Sequence, residues 1–311
     1  MQEAERPAAV GPAERESYGV HPDGARLPDA TRLGCVRLQV SDLARSLAYY
    51  QSVLGLQLLH RSGAHASLAA HEDDRPLVEL RERAGAAPMR QRGTLGLYHF
   101  AILLPDRGSL GRFIAHLSEI GERAGAADHL VSEALYLQDP DNLGIEVYAD
   151  RPRDQWKRRG RELVMATEQL DVAEIARAAG GDKWHGLPRG TVLGHVHLHV
   201  GDLGQASALY HQALGLDAMV WSYPGALFLA AGGYHHHLGL NTWAGAHAVP
   251  PREQNARLLE WEIVTPRAED AEAAANRLMA AGHPVTPDDS IAAWGGGWLA
   301  TDPWGTSFRI R

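Results

Sequence analysis

Apolar and polar residues alternate in the stretch LGCVRLQV, which begins at Leu33, and this period of two predicts a strand with one apolar face. The next residues, Ser41 and Asp42, are types that cap helices, and LARSLAYYQSVLG then repeats its apolar residues at helical spacing as far as Gly55. Three shorter strand signals follow, and the last of them is PLVELRE. The pattern therefore predicts a β-α-β-β-β module over residues 33–85.

The same pattern recurs three more times along the chain. LGHVHLHVGDLGQASALYHQALGL, residues 193–216, aligns with residues 33–56 without a gap, and an internal repeat of this kind sets the architecture. Two weaker copies are related through their last hairpins, QDPDNLGIEV and TDPWGTSFRI. The sequence thus predicts an α+β fold of four tandem βαβββ modules, over residues 33–85, 93–152, 191–245 and 256–311.

The remaining stretches divide the chain into two halves. Residues 1–32 are polar and contain several prolines, which predicts a disordered tail. Residues 153–190 begin with the charged stretch RDQWKRRGRE and contain one predicted helix, Asp171–Ala179, so they are interpreted as a connector. The predicted N-terminal and C-terminal domains are residues 33–152 and 191–311.

Composition and charge exclude several classes of protein. The chain has 311 residues, enough for two domains of ordinary size, and its formal net charge of −8 argues against a nucleic-acid or anionic-membrane surface. No apolar run approaches the roughly 18 residues of a membrane span, and the first residues do not resemble a signal peptide. A single cysteine, Cys35, rules out an intramolecular disulfide. We therefore expect a cytoplasmic protein that binds neither nucleic acid nor membrane, and homo-oligomerisation stays open.

Glu146 lies in the last predicted strand of the second module, GIEVY, after a turn formed by DPDN. Strand alternation points it away from Ile145 and Val147, whose face should pack against a helix. If the opposite face is also enclosed, this carboxylate needs a cation or hydrogen-bond donors. An isolated glutamate on a strand is otherwise usually solvated, so its neighbours decide between the two interpretations.

Two motifs, SDLARSLAYYQSVLGL and DPDNLGIEVY, stand within four such modules and resemble the vicinal oxygen chelate superfamily, which includes glyoxalase I, bleomycin-resistance proteins and extradiol dioxygenases. GLYHFAILLPDR and GGYHHHLGLNTWAG are similar to its two-domain, catechol 2,3-dioxygenase-like branch. The resemblance covers about residues 33–311 and implies that modules pair into cupped sheets. It also implies that metal ligands come from the first and last strands of the paired modules.

Strand alignment identifies eight positions where this resemblance would place ligands. The first strands offer Cys35, His99, His195 and Glu260, and the last strands offer Glu79, Glu146, Gly239 and Arg309. Pairing the second module with the third brings together His99, Glu146 and His195, and two histidines with one carboxylate form the set of non-haem Fe(II) oxygenases. In both histidine strands the opposite face is richer in apolar residues and should meet the helices.

The other pairing, of the first module with the fourth, leaves Cys35, Glu79, Glu260 and Arg309 together. We expect no metal there, and an ion pair between Arg309 and either Glu79 or Glu260. Pairing in chain order is the alternative, and it would place the cationic Arg309 beside His195. We therefore predict the swapped pairing, second with third and first with fourth.

The resemblance implies three further residues of an active site. The run of histidines in GGYHHHLGLN is similar to an Arg-His-His strand of extradiol dioxygenases, and by that match His237 is the acid/base. Tyr136 lies ten residues before Glu146, where those enzymes keep a hydrogen-bonding tyrosine, and Asp128 precedes His129 in the segment that approaches it. In the commoner extradiol arrangement all three ligands lie in the C-terminal half, so the ligand set of this chain is a departure.

The resemblance implies an extradiol ring-cleaving dioxygenase that uses Fe(II), or Mn(II) in its place, with O2 and a small catechol-type aromatic as its reactants. Two alternatives stay open. One is a glyoxalase-like lyase or isomerase, which would be favoured by a fourth protein ligand at Glu79 or His237. The other is a metal-free protein that sequesters a small aromatic compound.

Overall fold

The computed structural model describes residues 10–12, 18–90, 92–288 and 296–311. Helices α1, α2 and α5 each follow the first strand of a module, and α4 continues directly as a π-helix over Ser207–Ala213. The elements are β1 (Val10–Pro12), β2 (Arg32–Val40), α1 (Leu43–Ser52), β3 (Gln57–Ser62), β4 (His65–Ala69), β5 (Val78–Glu82), β6 (Gly96–Leu103), α2 (Arg107–Ile120), β7 (Gly125–Asp128), β8 (Ser132–Gln138), β9 (Gly144–Asp150), a 3-10 turn (Arg153–Gln155), β10 (Lys157–Arg159), β11 (Glu162–Leu163), α3 (Val172–Ala178), β12 (Val192–His199), α4 (Leu203–Ala206), β13 (Asp217–Val220), β14 (Ala226–Ala230), β15 (Leu238–Asn241), β16 (Arg257–Val264), α5 (Ala268–Ala280), β17 (Val285–Pro287), β18 (Trp298–Thr301) and β19 (Ser307–Ile310).

Two eight-stranded sheets contain the strands of the four modules, and each sheet joins one module from each half of the chain. In the first, called the 2–3 sheet, the strand order is β13-β14-β15-β12-β6-β9-β8-β7. In the second, called the 1–4 sheet, the order is β17-β18-β19-β16-β2-β5-β4-β3. The predicted α+β fold and the swapped pairing of the modules are therefore confirmed, and neither half of the chain forms a sheet by itself.

The centre of the 2–3 sheet is the antiparallel pair of first strands, β6 and β12. His99 lies opposite His197, and His195 lies opposite Ala101. The parallel strand β9 places Glu146 beside Ala101 on the other side of β6. Because side chains alternate along a strand, these residues project from the same face of the sheet. The register thus brings the three predicted ligands together.

The opposite face of this sheet carries the core. Ile145, Val147, Val196 and Leu198 are buried, and their apolar cluster continues into the helices. Burying a side chain of this size stabilises the fold by about 1.5–3 kcal/mol. The predicted helix-facing sides of β9 and β12 are therefore confirmed.

Aspartates begin the first helix of three modules. The side chains of Asp42, Asp106 and Asp202 each accept a hydrogen bond from the backbone N–H three residues later. This contact satisfies one of the N–H groups that have no partner within the helix. The cap predicted at Asp42 is confirmed, and its counterpart at Asp202 shows that the repeat extends to the turn.

The prediction of a disordered tail over residues 1–32 is wrong for residues 18–32, which pack against the third module. Leu27 is buried, and Arg26 donates to both carboxylate oxygens of Asp217, at 2.9 and 2.6 Å. The apolar residues of this segment are isolated and follow neither a helix nor a strand period. Each contacts a residue far along the chain, so a local pattern could not predict their packing. Apart from β1, the rest of that predicted tail lies outside the described residues.

The connector contains the predicted helix as α3, with Asp171 as its N-cap. It also contains β10 and β11, which form a small sheet with β1. Gly111 allows α2 to approach α3, because an added Cβ would lie 2.3 Å from the carbonyl oxygen of Ile175. The connector is thus a packed layer beside the 2–3 sheet.

Candidate metal centre

His99, Glu146 and His195 form a buried cluster on one face of the 2–3 sheet. The Nε2 atoms of the two histidines are 3.2 Å apart. An Oε2 atom of Glu146 lies 3.0 Å from Nε2 of His99 and 3.1 Å from Nε2 of His195. The three predicted ligand atoms are therefore nearly equidistant.

This spacing fits a divalent metal ion. Ligands that share one face of an octahedron, bonded at about 2.0–2.2 Å, lie about 3 Å from one another. Three acceptor atoms at that separation would repel one another without a proton or a cation between them. The donor set and its geometry therefore support a metal site at His99, Glu146 and His195. The coordination positions opposite these three ligands would be open.

The protonation states also suit a metal. Burial lowers the pKa of His99 and of His195, although Glu146 opposes this effect, so both imidazoles are neutral near pH 7. Burial acts to raise the pKa of Glu146, but the two imidazoles outweigh it and hold that pKa well below its ordinary value. Metal binding requires neutral imidazole and ionised carboxylate, and both are present.

A cavity of about 330 Å³ opens beside this cluster. Its wall contains the three candidate ligands and a set of aromatic and apolar residues from all sides: Tyr98, Met165, Tyr223, Phe228 and Trp243. Met165 belongs to the connector, so that segment closes one side of the site. The size lies within the range of pockets for small organic ligands.

Tyr136 lines the cavity, as predicted, and hydrogen-bonds to His129, for which no role was predicted. Its hydroxyl lies 2.5 Å from Nε2 of His129, whose Nδ1 lies 2.7 Å from the carbonyl oxygen of Ala166. Because a carbonyl only accepts, Nδ1 of His129 carries the proton and Nε2 accepts from the Tyr136 hydroxyl. Burial and then Glu146 raise the pKa of Tyr136 well above its ordinary value, so Tyr136 remains protonated.

Asp128 lies outside the cavity wall. Its carboxylate accepts from Arg151 at 2.6 Å and from the backbone N–H of Leu130 at 2.8 Å. Arg151 also bonds Glu133. The structure therefore places Asp128 in an ion-pair network behind the site, and it does not bring it to the candidate ligands.

The three consecutive histidines point in different directions. His236 lines the cavity, and its ring centroid lies 4.0 Å from that of His195. His237 does not line it; its Nδ1 accepts from the backbone N–H of Ala231 at 3.2 Å. The run precedes β15, which begins at Leu238, so strand alternation does not apply to it. The structure thus places His236 where the sequence match expected His237.

His236 is joined to a carboxylate through its neighbour. Nδ1 of His236 lies 2.7 Å from Nδ1 of His235, and Nε2 of His235 lies 2.9 Å from Oδ1 of Asp150. Since the carboxylate accepts, His235 donates from Nε2 and accepts at Nδ1. His236 must then carry its proton on Nδ1, which leaves a lone pair on Nε2. A neutral ring follows from burial, which lowers the pKa of His236 well below its ordinary value.

Packing holds the ring of His195 in place. Its Nδ1 is buried without a hydrogen-bond partner among the described residues. The neighbouring His197 differs, because its Nε2 accepts from Asn241 at 2.9 Å. Gly239, the fourth aligned position, makes room for the His197 ring, since a Cβ there would lie 2.8 Å from it.

The 1–4 sheet holds guanidinium groups at the corresponding place. Arg37 donates to Glu79 at 2.7 Å, to Glu262 at 2.6 Å and to Glu260. Arg309 donates to Glu260 at 2.6 Å, which confirms the predicted ion pair. Arg37 was not predicted, although the repeat aligns it with a histidine of the third module.

Cys35 lies beside this network and is buried. Its thiol donates to the backbone carbonyl of Val36 at 3.3 Å. Burial raises the pKa of this thiol well above its ordinary value, so it is a poor metal ligand. That the 1–4 sheet binds no metal stays a prediction.

Comparison with known proteins identifies related sequences and folds. The family described as the Glyoxalase/Bleomycin resistance protein/Dioxygenase superfamily matches residues 32–147 and 192–310. A catechol-2,3-dioxygenase of Bacillus subtilis (strain 168) is 46% identical over 259 residues, which cover 82% of this chain and 90% of the relative. Among the described residues, none of the helices is long and apolar enough to cross a membrane.

Two solved structures show the same fold at low sequence identity. A putative dioxygenase from Bacillus subtilis subsp. subtilis str. 168 has a TM-score of 0.63 and 13% identity, and the match covers 92% of this chain and 86% of the other. Glyoxalase I from Zea mays has a TM-score of 0.52 and 19% identity, with 90% and 92% covered. Both likenesses concern the fold, and the residues of the site carry the chemistry.

Proposed function

Because the chain belongs to the Glyoxalase/Bleomycin resistance protein/Dioxygenase superfamily, we propose that it is an extradiol dioxygenase, which cleaves the ring of a catechol-type aromatic with O2. The observation that carries this proposal is the buried set of His99, Glu146 and His195, with their ligand atoms 3.0–3.2 Å apart. Two imidazoles and one carboxylate with open positions are the set associated with non-haem Fe(II) oxygenases. Fe(II) is the proposed metal, with Mn(II) as its substitute.

The bound ion would supply open positions that hold both reactants at bonding distance and a positive charge that favours the catecholate. The residues of the chain then have three tasks. Tyr98, Phe228 and Trp243 bind the faces and edges of the ring and exclude water. Tyr136 accepts a hydrogen bond from a substrate hydroxyl, because its own proton is donated to His129 and its hydroxyl lies in the cavity wall.

His236 takes the role that the sequence match assigned to His237. Its Nε2 lone pair is the free acceptor of a cavity residue, and a base must lie within hydrogen-bond reach of the proton it takes. Asp150 and His235 fix the tautomer that leaves this lone pair free. Asp128 has no direct task here; it holds Arg151 and thereby the hairpin that carries Tyr136.

The glyoxalase-like alternative loses the fourth ligands that would have favoured it. Glu79 accepts from Arg37 in the other sheet, and His237 lies outside the cavity wall. A redox-neutral lyase or isomerase also consumes no oxygen. Oxygen uptake therefore separates the two functions.

The test is reconstitution with Fe(II) under argon, followed by catechol and air. We expect stoichiometric O2 uptake and a yellow semialdehyde product. Metal-free protein is the control and should consume no O2. Full Fe(II) loading without O2 uptake or ring cleavage for any catechol would contradict the proposal.

A further inference from the structure

Among the described residues, no lysine or arginine lines the cavity beside the candidate ligands. Glu146 is the one carboxylate of its described wall. Resting on the function proposed above, we propose that the substrate is a catechol whose ring substituent is uncharged and apolar, and that ring carboxylates are excluded.

Aromatic side chains form the outer wall where a substituent would lie. Trp243 contacts Tyr98, with ring centroids 5.9 Å apart, and Tyr223, with centroids 6.2 Å apart. Phe228 lies behind Tyr223 at 5.8 Å, and Met165 completes this side. Such a wall offers dispersion contacts to an alkyl or aryl group and no cation for a negative charge.

Two histidines of the wall already accept hydrogen bonds at Nε2. Nε2 of His197 accepts from Asn241, and Nε2 of His129 accepts the Tyr136 hydroxyl. Arg151, the nearby cation behind the wall, is held by Asp128 and Glu133. Once the catecholate has taken up the positive charge of the proposed metal centre, a substrate carboxylate would be desolvated with no cationic side chain as its partner, which is strongly unfavourable.

The cavity is larger than an unsubstituted ring requires. A cavity of about 150 Å³ is sufficient for benzene, and this one measures about 330 Å³. Room for a substituent and an apolar lining thus occur together.

One arginine approaches the same region from a neighbouring open cleft. Arg123 lines a cleft that shares Tyr98, His99 and Tyr136 with the cavity, but Glu122 and Asp139 line that cleft as well. The carboxylates offset its charge. Arg123→Ala is therefore the control for any carboxylate that is accepted.

The experiment compares four substrates of the Fe(II)-loaded protein by O2 uptake: catechol, 4-methylcatechol, 4-ethylcatechol and 3,4-dihydroxybenzoate. Dissociation constants are measured in parallel under argon by quenching of tryptophan fluorescence. We expect kcat/KM for the two alkyl catechols within about tenfold of catechol, and binding and turnover of the carboxylate weaker by about 100-fold or more. Equal binding and turnover of the carboxylate would overturn this inference while leaving the proposed function intact. If no catechol is cleaved, the proposed function itself fails.

A charge added at the mouth sharpens the test. Trp243→Arg should raise the kcat/KM ratio of 3,4-dihydroxybenzoate to catechol by about tenfold or more, because it supplies the missing cation. Trp243→Met, which removes the ring without adding charge, should not raise it. An equal change in both variants would show that size, not charge, excludes the carboxylate. The wild-type substrate series decides the matter if Trp243→Arg does not fold.

Discussion

The two sheets of this protein have the same architecture, but the negative charge of their buried carboxylates is balanced in different ways. In the 2–3 sheet, the central strands bring Glu146 and two neutral histidines together and leave a positive charge to be supplied from outside. In the 1–4 sheet, Arg37 and Arg309 supply that charge from within the chain. Arg309 stands at the position that Glu146 holds in the second module. The comparison teaches that a repeated scaffold keeps its acidic centre, and that one or two substitutions decide whether a guanidinium of the chain itself balances it.

The largest effect on stability is expected from removing the internal cation. Arg37→Met would leave Glu79, Glu260 and Glu262 close together with one partner fewer, and should cost about 3–5 kcal/mol. Urea unfolding measures the loss, and Arg267→Met, at an exposed ion pair with Asp270, is the matched control with no measurable change expected. An unchanged midpoint in Arg37→Met would show that the network does not stabilise the fold.

The second effect concerns turnover and compares two adjacent histidines. His236→Ala should keep the metal and lose about 100-fold in kcat, as expected for a lost acid/base. His237→Ala, whose side chain lies outside the cavity wall, should stay within about threefold of wild type. The reverse order of losses would restore the assignment made from the sequence.

A smaller loss is expected when the tautomer of His236 is disturbed. Asp150→Asn removes the carboxylate that accepts from His235 and should lower kcat by about tenfold with little change in KM. Asp150→Glu should recover part of the activity. A change confined to KM, or none at all, would reduce this chain of contacts to a structural role.

Sequence reasoning identified the three candidate ligands because they obey the strand period. His99, Glu146 and His195 stand on regular strands, and the repeat supplied their alignment. Arg37 was missed because the aligned position was two residues earlier, at Cys35, although both side chains project from the same face. The family match selected His237, whereas His236 is the member of the run that lines the cavity, because this segment precedes β15 and is not a strand.

The contacts of the tail and the connector could not be predicted from local pattern. Leu27 and Met165 are isolated apolar residues in polar surroundings, and each meets a partner far away in the chain. Asp128 was predicted to be a site residue because it precedes His129, and His129 is the one that lines the cavity. Local resemblance gave the segment, and tertiary contacts decided which of its side chains faces inward.

The smallest effect is a pH dependence shared by the last turns of the second and fourth modules. Burial raises the pKa of Asp139 to about 6, whereas an unfolded aspartate titrates near about 3.9. The folded state binds this proton more tightly, so the contribution is present below about pH 4 and is lost as the pH rises through about 6. Asp139→Asn should therefore gain stability relative to wild type between pH 4 and pH 7.

Urea midpoints across that range check this sign. Asp302→Asn is the counterpart in the 1–4 sheet, where burial also raises the pKa of the carboxyl, and it should shift in the same direction. A constant difference from wild type at every pH would exclude the effect.

The most direct test of the central claim is metal analysis of Glu146→Ala beside Glu79→Ala, the two glutamates at corresponding positions of the two sheets. After loading with Fe(II) under argon and desalting, wild type and Glu79→Ala should each retain about one ion per chain, since Glu79 pairs with Arg37. Glu146→Ala should retain almost none and show no ring cleavage, because two imidazoles alone hold a divalent ion poorly. Stoichiometric metal and normal activity in Glu146→Ala would contradict this account. Loss of metal in Glu79→Ala alone would show that the metal binds in the 1–4 sheet instead.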